Sequence, residues 1–255
     1  MSHEMLGEPP LAADTDEPDN PRVAKLSNVA LRERVYAELG NAIRAGRFAS
    51  GEVVTIRGLA DILGTSTMPV REAVSRLVTE HALELLPNRS LRVTPISLQR
   101  LDELTDLRVT VEGRAAALAA QRMTPAEFTA LRQANERYLQ ALEAGDLKLA
   151  LAVNEEMHFG LYRAAGSALM LSVIEGLWLQ SGPFIAAVMK AMSDKPGILP
   201  TRGAAHHFDI IAAIADRDME GARKAISDDI GEAAAWYRQT IFPGQLSGDD
   251  SAAVS

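Results

Sequence analysis

Residues 59–78 constrain the fold of this chain more than any other segment, because they read as two short helices joined by a turn of about three residues. Gly64 stands where a left-handed C-terminal cap can end the first helix. Ser66 or Thr67 can cap the second helix, and Pro69 falls in its first turn. The apolar face of the second helix recurs at helical spacing and consists of Val70, Ala73, Val74, Leu77 and Val78. This pattern predicts a helix-turn-helix.

The opposite face of the second predicted helix is polar and carries Ser66, Thr67, Arg71, Ser75 and Arg76. Two hydroxyls at a helix N-terminus, where backbone N–H groups and the helix dipole favour an anion, are suited to a phosphate. The segment therefore indicates a DNA-binding helix pair. The alternative is an ordinary amphipathic helical hairpin whose polar face is only solvated.

The flanking segments favour the first interpretation. Upstream, a helical apolar stripe ends near Gly46 and consists of Leu31, Val35, Leu39 and Ile43. Downstream, residues 83–96 place two short apolar runs around a Pro-Asn-Arg-Ser turn, which predicts a β-hairpin. The hairpin would complete a winged helix-turn-helix, with Arg89 at its tip and Arg92 beside it in reach of a minor groove or phosphates.

The charge distribution agrees with a DNA-binding segment in an otherwise acidic chain. The whole chain has a formal net charge of −8. Residues 22–96, however, hold 11 Lys and Arg against 7 Asp and Glu, a net charge of +4. The segments on either side of it, 1–21 and 97–255, each carry −6. The positive surplus therefore lies where attraction to phosphate requires it.

Length and composition predict two modest domains in a reducing compartment. The chain has 255 residues, of which 47% are hydrophobic, enough for two cores. It has no cysteine, which excludes disulfides and thiolate metal sites. We find no uninterrupted apolar run of about eighteen residues and no signal-peptide pattern. We therefore expect a cytoplasmic protein without a membrane partner.

The predicted fold is mainly α, a winged helix-turn-helix domain followed by an all-α antiparallel helical bundle. Residues 1–24 are acidic and Pro-rich and are expected to be a disordered tail. We assign residues 25–95 to the winged helix, 96–243 to the helical domain and 244–255 to a flexible tail. A stripe through Leu104, Leu107 and Val111 predicts the first long helix of the bundle. Breaks at Gly145, Gly166, residues 193–201 and 216–218, together with the Thr124-Pro125 start, predict about six helices there.

Four residues of the helical domain are candidates for a metal site. His158 follows Asn154 by four residues, so both project from one side of a helix. His207 begins another predicted helix and Asp229 lies on the next, and two antiparallel helices can bring them to the first pair. Neutral imidazoles with a carboxylate and an amide oxygen suit a divalent metal such as zinc or nickel. The alternative is a set of polar bundle residues that binds no metal.

The run AGRFASGEVVTIRGLADILGTSTMPVREAVSRLVTEHALELLPNRSLRV, residues 45–93, resembles the winged-helix domain of GntR-type bacterial transcription regulators. Two departures stand out: Thr67 and Met68 replace the Arg and Thr that often follow the turn serine, and Ser90 replaces a common wing-tip Gly. The resemblance implies that the DNA-contacting residues are Arg57, Ser66, Thr67, Arg71 and Arg89.

Residues 97–240 resemble the helical effector-binding domain of the FadR subgroup of that family. The markers are LTDLRVTVEGRAAALAA, NEEMHFGLYRAAGS and HHFDIIAAIADRDMEGARKAI. In metal-binding members the corresponding positions hold one Asp and three His. The resemblance thus implies the ligand set Asn154, His158, His207 and Asp229, in which the carboxylate is lost at the first position and gained at the last. His206 is expected to face elsewhere and is an alternative ligand.

Arg108 lies in the first marker, at a position from which relatives reach into the effector cavity. This implies a guanidinium that pairs with the carboxylate of an organic acid. The alternative is a salt bridge with Glu112, one helical turn further on.

The sequence thus predicts a homodimeric, ligand-responsive regulator, most simply a repressor, that binds double-stranded operator DNA and a small organic acid. The alternative is a metal-dependent hydrolase in the helical domain with the winged helix as a targeting device. HExxH, G-x-S-x-G and phosphate-binding glycine motifs are absent, which favours a regulator over an enzyme.

Overall fold

The structure is a computed structural model that describes residues 28–194 and 204–242. The predicted tails, residues 1–24 and 244–255, and most of the predicted break at 193–201 lie outside these ranges. The described residues form nine helices and three short strands, and all strands precede residue 97. The prediction of a mainly α fold is confirmed. The domain limits 25–95 and 96–243 stay predictions.

The first part of the structure is a three-helix unit with a small sheet. Its elements are α1 (Asn28–Arg44), β1 (Val53–Val54), α2 (Ile56–Leu63), α3 (Thr67–Thr79), β2 (Leu83–Leu85) and β3 (Leu91–Val93). The Thr55 hydroxyl caps α2 by accepting from Gly58 N–H, and Gly64 ends it in the left-handed region with φ 62°. Ser66 precedes α3 in an extended conformation, without a capping hydrogen bond from its side chain.

The wing is an antiparallel sheet with strand order β1-β3-β2. The sequence predicted the β2–β3 hairpin but missed β1, because a strand of two residues is too short to show an alternating pattern. At the hairpin tip Arg89 has φ 64°, a conformation that non-glycine residues adopt uncommonly. Asn88 supports the turn, since its side-chain oxygen accepts from Ser90 N–H.

The second part is a bundle of six helices among the described residues, the number that the sequence predicted. They are α4 (Leu98–Arg122), α5 (Pro125–Glu143), α6 (Leu147–Ala164), α7 (Ala168–Ser193), α8 (Ala205–Ala215) and α9 (Met219–Ile241). Side-chain caps start five of them, and Thr124 with Glu127 forms a full capping box at α5. These local signals explain why the helix starts were readable from the sequence.

The buried face of α4 differs from the predicted apolar stripe. Leu107 is 53% exposed, whereas Arg108 and Glu112 are buried at 3% and 0%. The reason is that the two charged residues pair with each other, and a paired charge can take a core position that hydropathy assigns to leucine. The C-terminal half of α4 then packs through its small residues Ala115, Ala116, Ala119 and Ala120.

Helix α7 belongs to both parts of the molecule. It is long and apolar enough to cross a membrane by length and composition, but half of the qualifying stretch is buried, as in a core helix. Leu179 belongs to the same buried cluster as the winged-helix core, whereas the preceding Trp178 belongs to the core of the bundle. One helix therefore contacts both cores.

Two glycines allow α1 and α7 to cross closely. A Cβ atom added at Gly182 would overlap the backbone of Arg44, and one added at Gly46 would overlap Ala186. Beside this crossing the Arg44 guanidinium lies 2.9 Å from a carboxylate oxygen of Glu155 on α6. The contact between the two parts thus depends on backbone approach together with one ion pair.

We expect Gly182→Ala to destabilise the protein because α1 must move to admit the methyl group. Overpacking of this kind costs about 1–3 kcal/mol. For a chain of this size the corresponding fall in Tm is roughly 2–12 °C, measurable by calorimetry.

Gly176→Ala is the matched control for this prediction. Gly176 lies on the same helix with nothing within 4 Å of its would-be Cβ. Alanine should therefore leave Tm unchanged or raise it, since alanine favours helix more than glycine by about 0.5–1 kcal/mol. Equal rises in both variants would show that the crossing is not tight.

Candidate functional site

The helical bundle contains a partly open cavity of about 70 Å³. Its polar lining consists of Arg108, Asn154, His158, His206, Asp229 and Glu232. Its apolar lining includes Trp178, Ile185, Val188, Met189, Met192 and Trp236. The cavity therefore has a polar, charged part and an apolar part, which is typical of a site for a small organic ligand.

Three of the four predicted ligand residues lie close together. One ligand atom each from His158, His207 and Asp229 lies within 4.8 Å of the others. His158 Nε2 is 3.6 Å from Asp229 Oδ2, and the two imidazole rings are 5.4 Å apart between centroids. Asn154, the fourth residue, lines the same cavity one turn before His158 on α6. The helices α6, α8 and α9 thus bring three of the four predicted residues together, and Asn154 lies in the lining of the neighbouring cavity.

The ring orientation of His207 is set by Asn135 on α5. His207 Nδ1 lies 3.1 Å from the Asn135 side-chain oxygen. An amide oxygen only accepts, so Nδ1 carries the proton and Nε2 keeps its lone pair. That Nε2 is buried and has no hydrogen-bond partner among the described residues.

The ring orientation of His158 is set in the same way. The Tyr162 hydroxyl donates to Glu112 Oε2 at 2.5 Å, and it therefore accepts from His158 Nδ1 at 3.0 Å. The proton of His158 is thus on Nδ1, and the lone pair of Nε2 is directed to the Asp229 side. Such partners on the far nitrogen are what orients metal-ligating histidines in general.

Burial keeps both imidazoles neutral. It lowers the pKa of His158 to about 3, with the Arg108 charge as a second cause. It also lowers the pKa of His207 well below the ordinary value, with the neighbouring histidines as further causes. Burial raises the pKa of Asp229 above its ordinary value, although 22% of that side chain stays exposed. Neutral imidazole is the form that binds a metal ion.

The residues present fit a divalent transition metal. A buried imidazole nitrogen without a partner costs free energy, about 1–3 kcal/mol, that a bound cation would recover. Two imidazoles, one carboxylate and one amide oxygen form a mixed nitrogen and oxygen donor set. Asn154 is the weakest donor of the four, because its oxygen carries no formal charge.

Arg108 forms the salt bridge of its alternative interpretation, and its contact with an effector stays a prediction. Its Nε and Nη2 lie 2.6 and 3.3 Å from the two oxygens of Glu112, so the salt bridge exists. It also lines the cavity. Burial by itself lowers the pKa of Arg108, but the charge and hydrogen bonds of Glu112 outweigh this and raise it. Arg108 is therefore a charged group at the cavity wall whose charge is largely balanced.

The expectation that His206 faces elsewhere is wrong. His206 lines the cavity, and its Nε2 lies 2.7 Å from Glu232 Oε2. The adjacent histidines of α8 have partners on two different helices, since His206 pairs with Glu232 on α9 and the buried His207 contacts Asn135 on α5. Sequence reasoning also missed Glu232, although its spacing of three residues from Asp229 places both on one face of α9. No sequence signal pointed to Asn135.

The residues predicted to contact DNA are all on the surface of the winged-helix part. Arg57, Ser66, Thr67, Arg71 and Arg89 are exposed. Within the described residues, no ion pair holds Arg57, Arg71 or Arg89.

Two other arginines of this surface have structural partners. Arg76 was placed on the polar face of α3, but its guanidinium stacks on the Tyr36 ring at 3.7 Å and lies 2.8 Å from Glu33. Arg92 of the wing pairs with Glu84 on the neighbouring strand at 2.6 Å. These two side chains thus have partners within the chain, whereas Arg57, Arg71 and Arg89 have no ion pair among the described residues.

Comparison with known families matches both parts of the chain. The profile described as "Bacterial regulatory proteins, gntR family" matches residues 31–93, and that of the "FCD domain" matches residues 103–232. The second range contains all four predicted ligand residues, Asn154, His158, His207 and Asp229.

Individual relatives cover most of the chain. The HTH-type transcriptional regulator McbR of Escherichia coli K12 is 30% identical over 82% of this chain and 93% of its own length. A probable D-xylose utilization operon transcriptional repressor of Paenarthrobacter nicotinovorans is 28% identical over 80% of this chain and 87% of its own. The solved structure of E. coli McbR/YncC superposes with a TM-score of 0.76 and 28% identity, over 83% of this chain and 98% of that one.

These relatives are transcriptional regulators rather than enzymes. The chain belongs to the GntR family of bacterial regulatory proteins, as a DNA-binding transcriptional regulator that joins a winged helix to an FCD domain in the FadR-type arrangement.

Proposed function

We propose that this protein is a cytoplasmic, homodimeric repressor whose operator binding responds to a small carboxylate metabolite held in the bundle cavity through a divalent metal ion. The observation that carries the proposal is the buried His207, whose Nε2 has no partner among the described residues and whose ring offers a ligand atom within 4.8 Å of those of His158 and Asp229. A related protein is named as an operon repressor, which supports the choice of repression.

The metal ion would be held by His158 Nε2, His207 Nε2 and an oxygen of Asp229, with the Asn154 amide oxygen as a fourth ligand. When bound, the ion supplies positive charge that attracts the carboxylate of an effector. The chain's own residues orient the donors: Asn135 and Tyr162 fix the two imidazoles.

The charges around the cavity favour binding of the metal before the acid. Glu112 already balances Arg108, and Asp229 and Glu232 add two further carboxylates. An organic acid entering this cavity alone would meet net negative charge at low dielectric, which is costly. A divalent cation offsets the two carboxylates and removes that cost.

The apolar part of the cavity indicates the rest of the effector. Trp178, Ile185, Val188, Met189 and Met192 form a wall on α7 next to the polar ligand set. A molecule with a carboxylate at one end and a compact apolar body fits this division. Methionine side chains adapt to irregular shapes, so this wall can contact effectors whose apolar groups differ in shape.

Helix α7 offers a route by which the effector changes DNA binding. Trp178 lines the cavity and Leu179 packs in the winged-helix core. A ligand that shifts α7 therefore shifts the packing of the winged helix as well, and the two affinities become reciprocally coupled. In a dimer the shift changes the spacing of two winged helices that contact successive half-sites.

The hydrolase alternative from the sequence requires a general base and an open metal position. The relatives of this chain are regulators, which leaves that alternative without support. Turnover of candidate metabolites by the purified protein would revive it.

We expect His158→Ala and His207→Ala to abolish metal binding, and Asn154→Asp to strengthen it because a charged oxygen replaces a neutral one. The measurement is the shift of Tm on adding zinc, nickel or manganese, with native mass spectrometry to count bound ions. A metal at one hundred times its Kd stabilises the folded state by about 2.7 kcal/mol.

His206→Ala is the matched control for the metal prediction, since His206 lies in the same cavity but outside the ligand set. It should keep the metal-dependent shift of Tm. If none of the three metals shifts the Tm of wild type or of Asn154→Asp, these residues form a polar pocket that binds the effector directly.

We expect organic acids to bind only after the metal. In calorimetric titrations, an acid with an apolar body should give measurable binding to the metal-loaded protein and at least tenfold weaker binding after chelation, because the net negative charge is restored. Equal affinity in both states would contradict the order.

We expect Arg71→Ala to weaken operator binding by about 1–3 kcal/mol without unfolding the winged helix, because it removes an exposed base or phosphate contact. Fluorescence anisotropy with a duplex selected from a random pool measures this. Arg76→Ala is the control, because the Arg76 guanidinium already contacts Tyr36 and Glu33. This variant should lower Tm while leaving operator affinity close to that of wild type.

A further inference from the structure

Met68 is a large apolar residue at the surface where α3 begins. It is 60% exposed, although it lies in the first turn of a helix that has a well-formed buried face. Its neighbours on the surface, Thr67, Arg71 and Ser75, are polar and exposed. A methionine in this place is not explained by packing within the chain.

The helical spacing places Met68 on the outward face of α3. Met68, Arg71 and Ser75 stand at i, i+3 and i+7 and share one side of the helix. The opposite side is buried and consists of Pro69, Val70, Ala73, Val74 and Leu77. Met68 thus lies at the N-terminal end of the exposed side, and in helix-turn-helix proteins that end of the second helix contacts base edges.

The chemistry of the major groove offers one good partner for such a side chain. Phosphates and the hydrogen-bonding edges of bases gain nothing from a thioether chain. The C5-methyl group of thymine is the apolar feature of the groove, and apolar side chains contact it. Methionine is unbranched with three rotatable bonds, so it can reach a methyl group without exact positioning.

We propose that Met68 is a specificity-determining residue that selects thymine in each operator half-site by contact with the thymine methyl group. The proposal rests on the placement of α3 in the major groove, and it adds a base preference to that placement. Residues 22–96 carry a net charge of +4, so attraction to phosphate supplies affinity while Met68 supplies discrimination.

The test removes the thymine methyl group from the operator and the Met68 side chain from the protein, first separately and then together. An operator is first selected with the full-length protein from a random duplex pool. Each thymine is then replaced singly by deoxyuridine, which differs only by the missing methyl group. At one or two positions per half-site, wild type should bind the deoxyuridine duplex about fourfold more weakly than the thymine duplex, because about one methyl group is no longer buried.

Met68→Ala should bind the thymine and deoxyuridine duplexes equally at those positions, so that the two changes are not additive. Met68→Gln, of similar length, should shift the selected base toward adenine, which a glutamine side chain pairs with bidentately. Ile62→Ala is the control, since Ile62 is 80% exposed but lies on α2, and it should keep the full sensitivity to deoxyuridine.

The proposal is overturned if no thymine of the operator is sensitive in wild type, or if Met68→Ala keeps the wild-type sensitivity. Failure of the underlying placement has a different signature. If α3 does not enter the major groove, Arg71→Ala leaves operator affinity unchanged as well, and no base substitution opposite α3 has an effect.

Discussion

One buried carboxylate, that of Glu112, holds the helical domain together around its cavity. It is fully buried and accepts hydrogen bonds from Arg108 on its own helix, from Tyr162 on α6 and from Trp178 on α7. A carboxylate removed from water without such partners costs several kcal/mol. Three helices are therefore fixed relative to one another by the need to satisfy a single charge. The orientation of His158 follows from it, because Tyr162 donates to Glu112 and is left with only its oxygen for the imidazole.

The acidic side chains of the cavity lie unevenly around it. Asp229 stands on α9, whereas α6 contributes the uncharged amide of Asn154 and the neutral imidazole of His158. Glu232, one turn further along α9, places a second carboxylate on that side. A cation in this cavity would be drawn toward α9 and away from α6.

Much of the fold followed from local sequence signals, because caps and turns act over a few residues. Gly64 in the left-handed region and the Thr124–Glu127 capping box are examples. Features that depend on tertiary partners did not follow. Hydropathy assigned Leu107 to the core of α4, and the structure buries Arg108 instead because Glu112 accepts its charge. The spacing of Asn154 and His158 placed both on one face of α6, and the resemblance implied His207 and Asp229, but Asn135, which orients His207, lies 72 residues away and has no signal of its own.

The contacts that Leu179 and Gly182 of α7 make with the winged-helix part limit which winged helices this bundle can accept. A winged helix taken from another regulator and joined near residue 96 would meet an α7 shaped for the present α1. Leu179 would lose its contact with the α1 surface near Gly40. The close backbone approach at Gly182 would persist only if the backbone of the new first helix followed the same course as that of Arg44. α1 and α7, although distant in sequence, must therefore be exchanged together, because the winged helix alone does not carry both sides of their contact. DNA preference can still drift freely at exposed α3 positions, because those side chains take no part in this contact.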